Sequence, residues 1–317
     1  MKKIVFGFDD EFKLSNDVLQ KVRTKYRSLF QFLTATNCNL AALNDAVAFI
    51  GWPSDDELKA MPRLQWLQLP SAGANHFARH PNLSEQVVLT NASGVFGVSG
   101  AEHIFSLLLA FTRNLADYIK QQEKQIWHVV PHALQLDGAT VAIVGMGDIG
   151  IETAKRLHAF GSVVVGVRRT LSPKPDFVNR LYDMNGLDDA LGQSDFVVNI
   201  LPLTPETKLL FNRERFSHMK DGAVFINVGR GGTVDEPALI QSLTSGKLAG
   251  AGLDVTATEP LPDDSPLWKL SNVILTSHSL GVGPGKLKKR FDLILRNLEH
   301  FSKDEPLENV VNRKLGY

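Results

Sequence analysis

The stretch TVAIVGMGDIG, Thr140 to Gly150, decides how the chain folds. It opens on the apolar and β-branched run Thr140 to Val144, the pattern of a strand buried on both faces. Glycines follow at 145, 147 and 150, and a helix-compatible segment then keeps Ile149, Thr153, Leu157 and Phe160 on one side. Glycines punctuate many turns, but in a strand-to-helix setting each has a reason. Gly145 permits the tight turn, Gly147 lets the backbone approach a pyrophosphate, and Gly150 allows the helix to pack closely on the strand. The N–H groups at the start of the helix then face phosphate oxygens.

Working outward, the pattern repeats. Val163–Val167, Phe196–Leu201, Ala223–Val228, Ala251–Val255 and Val273–Thr276 are short apolar runs joined by helix-compatible segments. With Thr140–Val144 they predict six parallel strands in a doubly wound sheet. Upstream, Ile4–Phe8, Ala46–Ile50 and Trp66–Leu69 predict a second set of βαβ units. A helix is expected from about Gly100 to Asn114, followed by a more polar segment, Leu115 to Asp137, that contains Trp127 and reads as an arm. An amphipathic helix carrying Leu287, Phe291, Ile294, Leu298 and Phe301 closes the chain and leads back to the first domain. Lys286, Lys288, Lys289 and Arg290 are expected on its solvated face.

The fold class is therefore α/β, with two Rossmann-like doubly wound parallel-sheet domains and a cleft between them. Residues 1–98 plus 284–317 should form a flavodoxin-like substrate domain, and residues 99–283 a dinucleotide-binding domain. A chain of 317 residues exceeds what one core supports, in line with that division.

Composition narrows the function. Lys and Arg total 34 and Asp and Glu total 34, so the chain has no general attraction to nucleic acid or to an anionic membrane. Cys38 stands alone and forms neither an internal disulfide nor a cysteine-rich zinc site, which fits a reducing, cytoplasmic setting. The apolar start, Ile4 to Phe8, is too short for a signal peptide or a membrane span. His76, His80, His103, His128, His132, His158, His218 and His300 have no metal-ligand spacing and are read as structural, so no metal is expected.

Charge-dependent function must then be local. Arg168 stands 18 residues after Gly150, about where an NAD-binding protein places the acid that holds the ribose 2′-hydroxyl. Arg168 and Arg169 can instead clamp a 2′-phosphate, each charge-assisted hydrogen bond contributing roughly 1.5–3 kcal/mol, about tenfold or more in affinity. NADP(H) is expected to be preferred, with NAD(H) possible. The alternative is a pair of merely solvated arginines at a strand end.

Polar residues cluster beyond three further strand ends, where open α/β sheets bind ligands. Gly229-Arg230-Gly231 follows Asn227-Val228, Glu259-Pro260 follows Asp254-Val255, and His278 follows Thr276-Ser277. Individually, His278 could be a packed histidine, Arg230 a turn cap and Glu259 a loop carboxylate.

Together these motifs resemble the D-isomer-specific 2-hydroxyacid dehydrogenases, of the glyoxylate/hydroxypyruvate reductase and phosphoglycerate dehydrogenase kind, over nearly the whole chain. The C-terminal stretch Pro306–Val311 with Gly316-Tyr317 resembles that family's signature too. The resemblance implies that Arg230 binds the substrate carboxylate and polarises the 2-oxo oxygen, for which a planar bidentate donor is suited. It implies that His278 protonates that oxygen as hydride arrives, with Glu259 favouring the charged ring and fixing its orientation. It further implies that Ser71, Ala72 and Gly73 grip the substrate carboxylate through backbone N–H groups. Met146, Asp148, Ile149, Leu201, Pro202 and Val228 would line the cofactor, and Asp254 would accept from the nicotinamide carboxamide.

A homodimer joined through the 115–137 arm is implied as well, and bound substrate would close the cleft. Two departures from the family pattern stand out. Ser277 replaces a common proline, which loosens the backbone before His278, and Gly100 replaces a bulkier residue, which leaves room beside the nicotinamide. The expected reaction is NADPH-linked reduction of a small 2-oxo acid, glyoxylate or hydroxypyruvate first. Phosphoglycerate oxidation and a dinucleotide-sensing, corepressor-like binding role are the competing readings.

Overall fold

The computed structural model describes residues 1–317 apart from 9–11, 14, 132, 172, 284, 285 and 317, with the side chains of 37 and 286 also outside the description. His132 and Tyr317 of the sequence reading therefore lie outside the described residues. The chain divides into two compact units, Met1–Val95 with Pro284–Tyr317, and Phe96–Gly283. The first division falls three residues before the expected 98/99 boundary, because the helix that opens the second unit begins at Gly97 and runs to Thr112 rather than from about Gly100 to Asn114.

Among its described residues the first unit holds a parallel sheet of β1 (Lys2–Gly7), β2 (Phe30–Thr34), β3 (Ala46–Gly51), β4 (Trp66–Gln68) and β5 (Val88–Thr90). Their order is β2-β1-β3-β4-β5, the flavodoxin-like arrangement. The central strand β3 is buried at every position, as a strand covered on both faces must be. β2 and β5 escaped the sequence reading. β2, FQFLT, is a sheet-edge strand with polar positions, and β5, VLT, is only three residues long.

The C-terminal helix Lys286–Ser302 packs on this sheet through Ile294 and Leu298, beside Ile4, Phe6 and Trp66. Two expectations for it are corrected. Leu287, in the first turn of the helix, is exposed and takes no part in the core. Arg290 is buried rather than solvated, its guanidinium 5.9 Å from the centre of the Phe12 ring, where a cation over an aromatic face recovers part of its lost hydration.

The second unit holds β6 (Thr140–Val144), β7 (Val163–Val167), β8 (Arg180–Tyr182), β9 (Phe196–Asn199), β10 (Ala223–Asn227), β11 (Leu248–Leu253) and β12 (Val273–Leu275). The order β12-β11-β10-β9-β6-β7-β8 is doubly wound about β6, with all pairings parallel. β8 is the strand beyond the expected six; RLY is too short and too polar to show as an apolar run. Cores fill both faces of the sheet. Phe211, Phe216 and Phe225 pack on one side, and Ile104, Leu108 and Leu157 on the other.

Phe160 is corrected as well. It caps the C-terminus of the helix Asp148–Ala159 and is largely exposed, with its ring 5.0 Å from that of Phe105. The arm is a helix, Leu115–Glu123, with no buried residue, followed by a segment without regular secondary structure among its described residues. The segment is held back on the helix by Val130 N–H to Tyr118 Oη at 3.1 Å and His128 N–H to Gln121 Oε1 at 3.2 Å. Among the described residues no helix is long and apolar enough to cross a membrane.

Candidate active site

The phosphate loop is built as its glycines require. Gly145 leaves β6 with φ +115°, a backbone region that favours glycine, and its N–H bonds Val167 O at 2.9 Å. A Cβ on Gly150 would run into the carbonyl oxygen of Gly145, whereas nothing lies within 4 Å of the place a Cβ would take on Gly147. The helix therefore sits hard against the turn, and the turn's outer edge stays open to a large anion. Met146 is buried beneath it, against Gly166. These features fit a dinucleotide pyrophosphate at the start of the helix Asp148–Ala159. Because Gly145 is tied to the end of β7, Arg168 and Arg169 emerge next to the loop. Arg168 is half-buried, with its N–H on Tyr182 O at 3.1 Å, and Arg169 is exposed.

Gly100 has a different meaning from the one expected. A Cβ there would lie 2.9 Å from Ile149 Cγ2, so the missing side chain makes room for Ile149 and not for a ligand. The helix Gly97–Thr112 is thereby seated against the first turn of the phosphate helix.

Leu201 and Pro202 follow β9, where Leu201 N–H bonds Asn199 Oδ1 at 3.1 Å and Ile200 N–H bonds Val144 O at 2.8 Å. Asn199 is fully buried and donates from Nδ2 to Asn227 Oδ1 at 3.0 Å and to Thr233 Oγ1 at 2.8 Å. Thr233 in turn donates its hydroxyl to Arg230 O at 2.6 Å. Asn227 Oδ1 accepts from Gly229 N–H at 3.2 Å. This satisfied buried polar network fixes the turn that carries Val228 and Arg230. Asn199 and Thr233 were not singled out in the sequence. A polar residue closing an apolar strand, as in Phe196-Val197-Val198-Asn199, was the signal available.

Arg230 is half-buried, and its Nη1 donates to Gly229 O at 2.7 Å. Burial pushes its guanidinium below the ordinary value, while the charge of Glu259 acts in the opposite sense. The two residues approach because a Cβ on Gly231 would run into Thr256 O; only glycine lets the 229–231 turn lie against the 256–259 loop. Glu259 is held at both ends. Oε1 accepts from Thr256 N–H at 3.1 Å, and Oε2 lies 2.7 Å from His278 Nδ1.

Asp254, expected at the nicotinamide, is engaged within the protein. Its buried carboxylate accepts from Thr276 Oγ1 at 2.6 Å, from Ser279 N–H at 2.8 Å and from Leu280 N–H at 3.1 Å, and His103 Nε2 lies 3.2 Å from Oδ1. Burial alone would raise its pKa; the hydrogen bonds from His103, Thr276 and the two backbone N–H groups outweigh this and hold it well below the usual carboxylate range. His103 is thus part of the site's surroundings and not a remote packing residue. His80, by contrast, is buried in the first unit with Nε2 3.0 Å from Asp55 Oδ1. Among the described residues there is no cluster suited to a metal ion.

Ser71, Ala72 and Gly73 belong to the first unit. Their carbonyls accept from Ala92 N–H at 2.8 Å, Asn91 Nδ2 at 2.7 Å and Ser71 Oγ at 2.9 Å. Trp52 Nε1 reaches Ser71 Oγ at 3.3 Å. In trans peptides the N–H groups of residues 72–74 then point away from these partners.

The family model described as D-isomer specific 2-hydroxyacid dehydrogenase, NAD binding domain, matches residues 105–279. The chain is 32% identical over 279 residues to a glyoxylate reductase of Korarchaeum cryptofilum, covering 85% of this chain and 82% of that one. It is 36% identical over 244 residues to glyoxylate/hydroxypyruvate reductase B of Salmonella typhimurium, covering 75% and 74%. Among solved structures it is similar to a D-isomer specific 2-hydroxyacid dehydrogenase from Xanthobacter autotrophicus in complex with NADPH and MES, with a TM-score of 0.85, 29% identity and coverage of 100% and 99%. An NADPH-dependent glyoxylate/hydroxypyruvate reductase from Sinorhizobium meliloti, in complex with NADP and sulfate, gives a TM-score of 0.85 at 27% identity with both chains fully covered.

Proposed function

Since the chain belongs to the D-isomer specific 2-hydroxyacid dehydrogenase family, and is an NAD(P)-dependent oxidoreductase, we propose that it reduces a small 2-oxo acid, glyoxylate or hydroxypyruvate, with NADPH. The observation that carries the chemistry is the 2.7 Å contact of His278 Nδ1 with Glu259 Oε2.

The nicotinamide supplies the hydride when bound. Gly145 to Gly150 hold the pyrophosphate, with Met146, Asp148, Ile149, Leu201, Pro202 and Val228 along the cofactor. Arg168 and Arg169 take the 2′-phosphate, a fit supported by their emergence beside the open loop. Arg230 pairs with the substrate carboxylate and draws electron density toward the 2-oxo oxygen. With Nδ1 engaged by Glu259, the ring of His278 presents Nε2 as the proton donor to that oxygen, and Glu259 fixes the orientation of the ring. Ser71, Ala72 and Gly73 offer backbone N–H donors suited to a carboxylate. The lone cysteine supports a cytoplasmic, reducing setting, and the exposed apolar arm supports a homodimer.

The test is a panel following NADPH and NADH absorbance with glyoxylate, hydroxypyruvate, phosphohydroxypyruvate, pyruvate and branched 2-oxo acids. The expected result is NADPH-dependent turnover, highest on one of the first two. Turnover confined to phosphohydroxypyruvate would replace the substrate assignment. No turnover on any of these acids would overturn the assignment of a small 2-oxo acid as substrate.

A further inference from the structure

We propose that His103 is a positioning residue for His278, acting through the Asp254 carboxylate. The inference rests on His278 being the proton donor. His103 sits in the helix Gly97–Thr112 and is mostly buried, with Nε2 3.2 Å from Asp254 Oδ1 and 3.1 Å from Thr276 Oγ1. Thr276 spends its own hydroxyl proton on Asp254 Oδ1 at 2.6 Å. The hydroxyl can therefore only accept from His103, and Nε2–H is the donor to both oxygens.

Asp254 in turn grips the chain on both sides of His278. Its backbone carbonyl accepts from His278 N–H at 2.8 Å, and its carboxylate takes Thr276 before His278 and Ser279 and Leu280 after it. The grip is needed because His278 has φ +51°, a left-handed conformation that side chains other than glycine rarely adopt. Ser277, unlike a proline, does not restrict the residue before it. The turn therefore takes its shape from hydrogen bonds, and these converge on Asp254, three of them on its carboxylate. His103 is the side chain from outside the turn that holds this carboxylate, reaching Oδ1, the same oxygen that Thr276 Oγ1 and Ser279 N–H bond.

Removing the His103 ring deletes a donor to Oδ1 and opens space beside it. The carboxylate can then rotate, and the turn can relax with it. Proton transfer depends steeply on placement; a shift of about 1 Å costs up to roughly a hundredfold in rate. His103 touches neither the proton in flight nor Glu259, so its effect should appear in kcat.

The experiment measures kcat, substrate KM and NADPH Kd for His103→Ala, His103→Gln, Thr276→Val and His278→Ala. His103→Ala should lower kcat about tenfold, with NADPH Kd within about twofold of the parent. His103→Gln keeps a donor near the position of Nε2 and should recover most of the loss, which a purely packing role would not allow. If His103→Ala does not fold, Thr276→Val reports on the same carboxylate and should lower kcat similarly. A kcat unchanged in these variants, or a loss carried wholly by NADPH Kd, overturns the proposal while His278→Ala remains inactive. Full turnover by His278→Ala would overturn the proton-donor reading itself, and the proposal with it.

Discussion

Glu259 Oε2 lies 2.7 Å from His278 Nδ1 while Oε1 is anchored 3.1 Å from Thr256 N–H, so the carboxylate is a fixed strut and not a mobile counter-ion. The strut and the Arg230 turn meet where Gly231 lies against Thr256 O. Three polar side chains from three different strand ends are thus brought to one carboxyl edge of the sheet.

Glu259→Gln keeps the shape of the strut and removes its charge. The amide can still hold the ring, but no carboxylate then stands beside it as the proton moves. Steady-state kinetics should then show kcat reduced about a hundredfold with NADPH affinity unchanged. A kcat within threefold of the parent would mean that the charge plays no part.

Arg168 emerges from β7 beside the phosphate loop, tied there through Val167 O and Gly145 N–H. Arg168→Ala should weaken NADPH binding by about tenfold or more, the loss of one charge-assisted hydrogen bond to a phosphate. NADH, which lacks that phosphate, should bind about as before. Fluorescence titration with both cofactors is the measurement. An equal loss for both would assign Arg168 to the shape of the loop instead.

How much of this was legible in the sequence follows from what is local. Gly145 to Gly150 could be read because strand, turn and helix are contiguous, with Gly145 in a backbone region that favours glycine and Gly150 pressed against the carbonyl of Gly145. Arg230, Glu259 and His278 could be placed because each stands just beyond an apolar run. The support around them was not legible. Asn199 meets Thr233 across 34 positions and His103 meets Thr276 across 173, and no periodicity links such pairs. The buried Arg290 misled for a related reason. Its helix face looks solvated until Phe12, from the other end of the chain, is packed against it. Gly100 looked like space for a ligand because what fills the space is Ile149, one helix away.

Asp254 should also register in acid stability. Its carboxyl is held well below the usual range, so the unfolded chain takes up its proton first, near pH 4. The stability it contributes is complete above that pH and is lost as pH falls toward its folded value. Asp254→Asn should therefore destabilise the protein by about 2 kcal/mol or more at neutral pH, where hydrogen bonds to a buried charge are lost. The gap between variant and parent should narrow below pH 4. Urea midpoints at pH 7 and pH 3 measure it, and a constant gap would refute the linkage.

The arm carries a run of exposed apolar side chains. Trp127 is fully exposed, and Ile126, Val129 and Leu134 are exposed beside it, on a segment pinned to the helix Leu115–Glu123 rather than splayed. A tryptophan presented in this way is costly in water and is the residue type most enriched at interface centres. Light scattering at micromolar concentration should give twice the 34.9 kDa of one chain. Trp127→Ala should weaken the dimer by roughly thirtyfold, the equivalent of about 2 kcal/mol at an interface centre. It should leave the His278–Glu259 pair untouched. A parent protein that runs as a monomer at that concentration would rule out the homodimer, and a Trp127→Ala dimer of unchanged affinity would move the interface elsewhere.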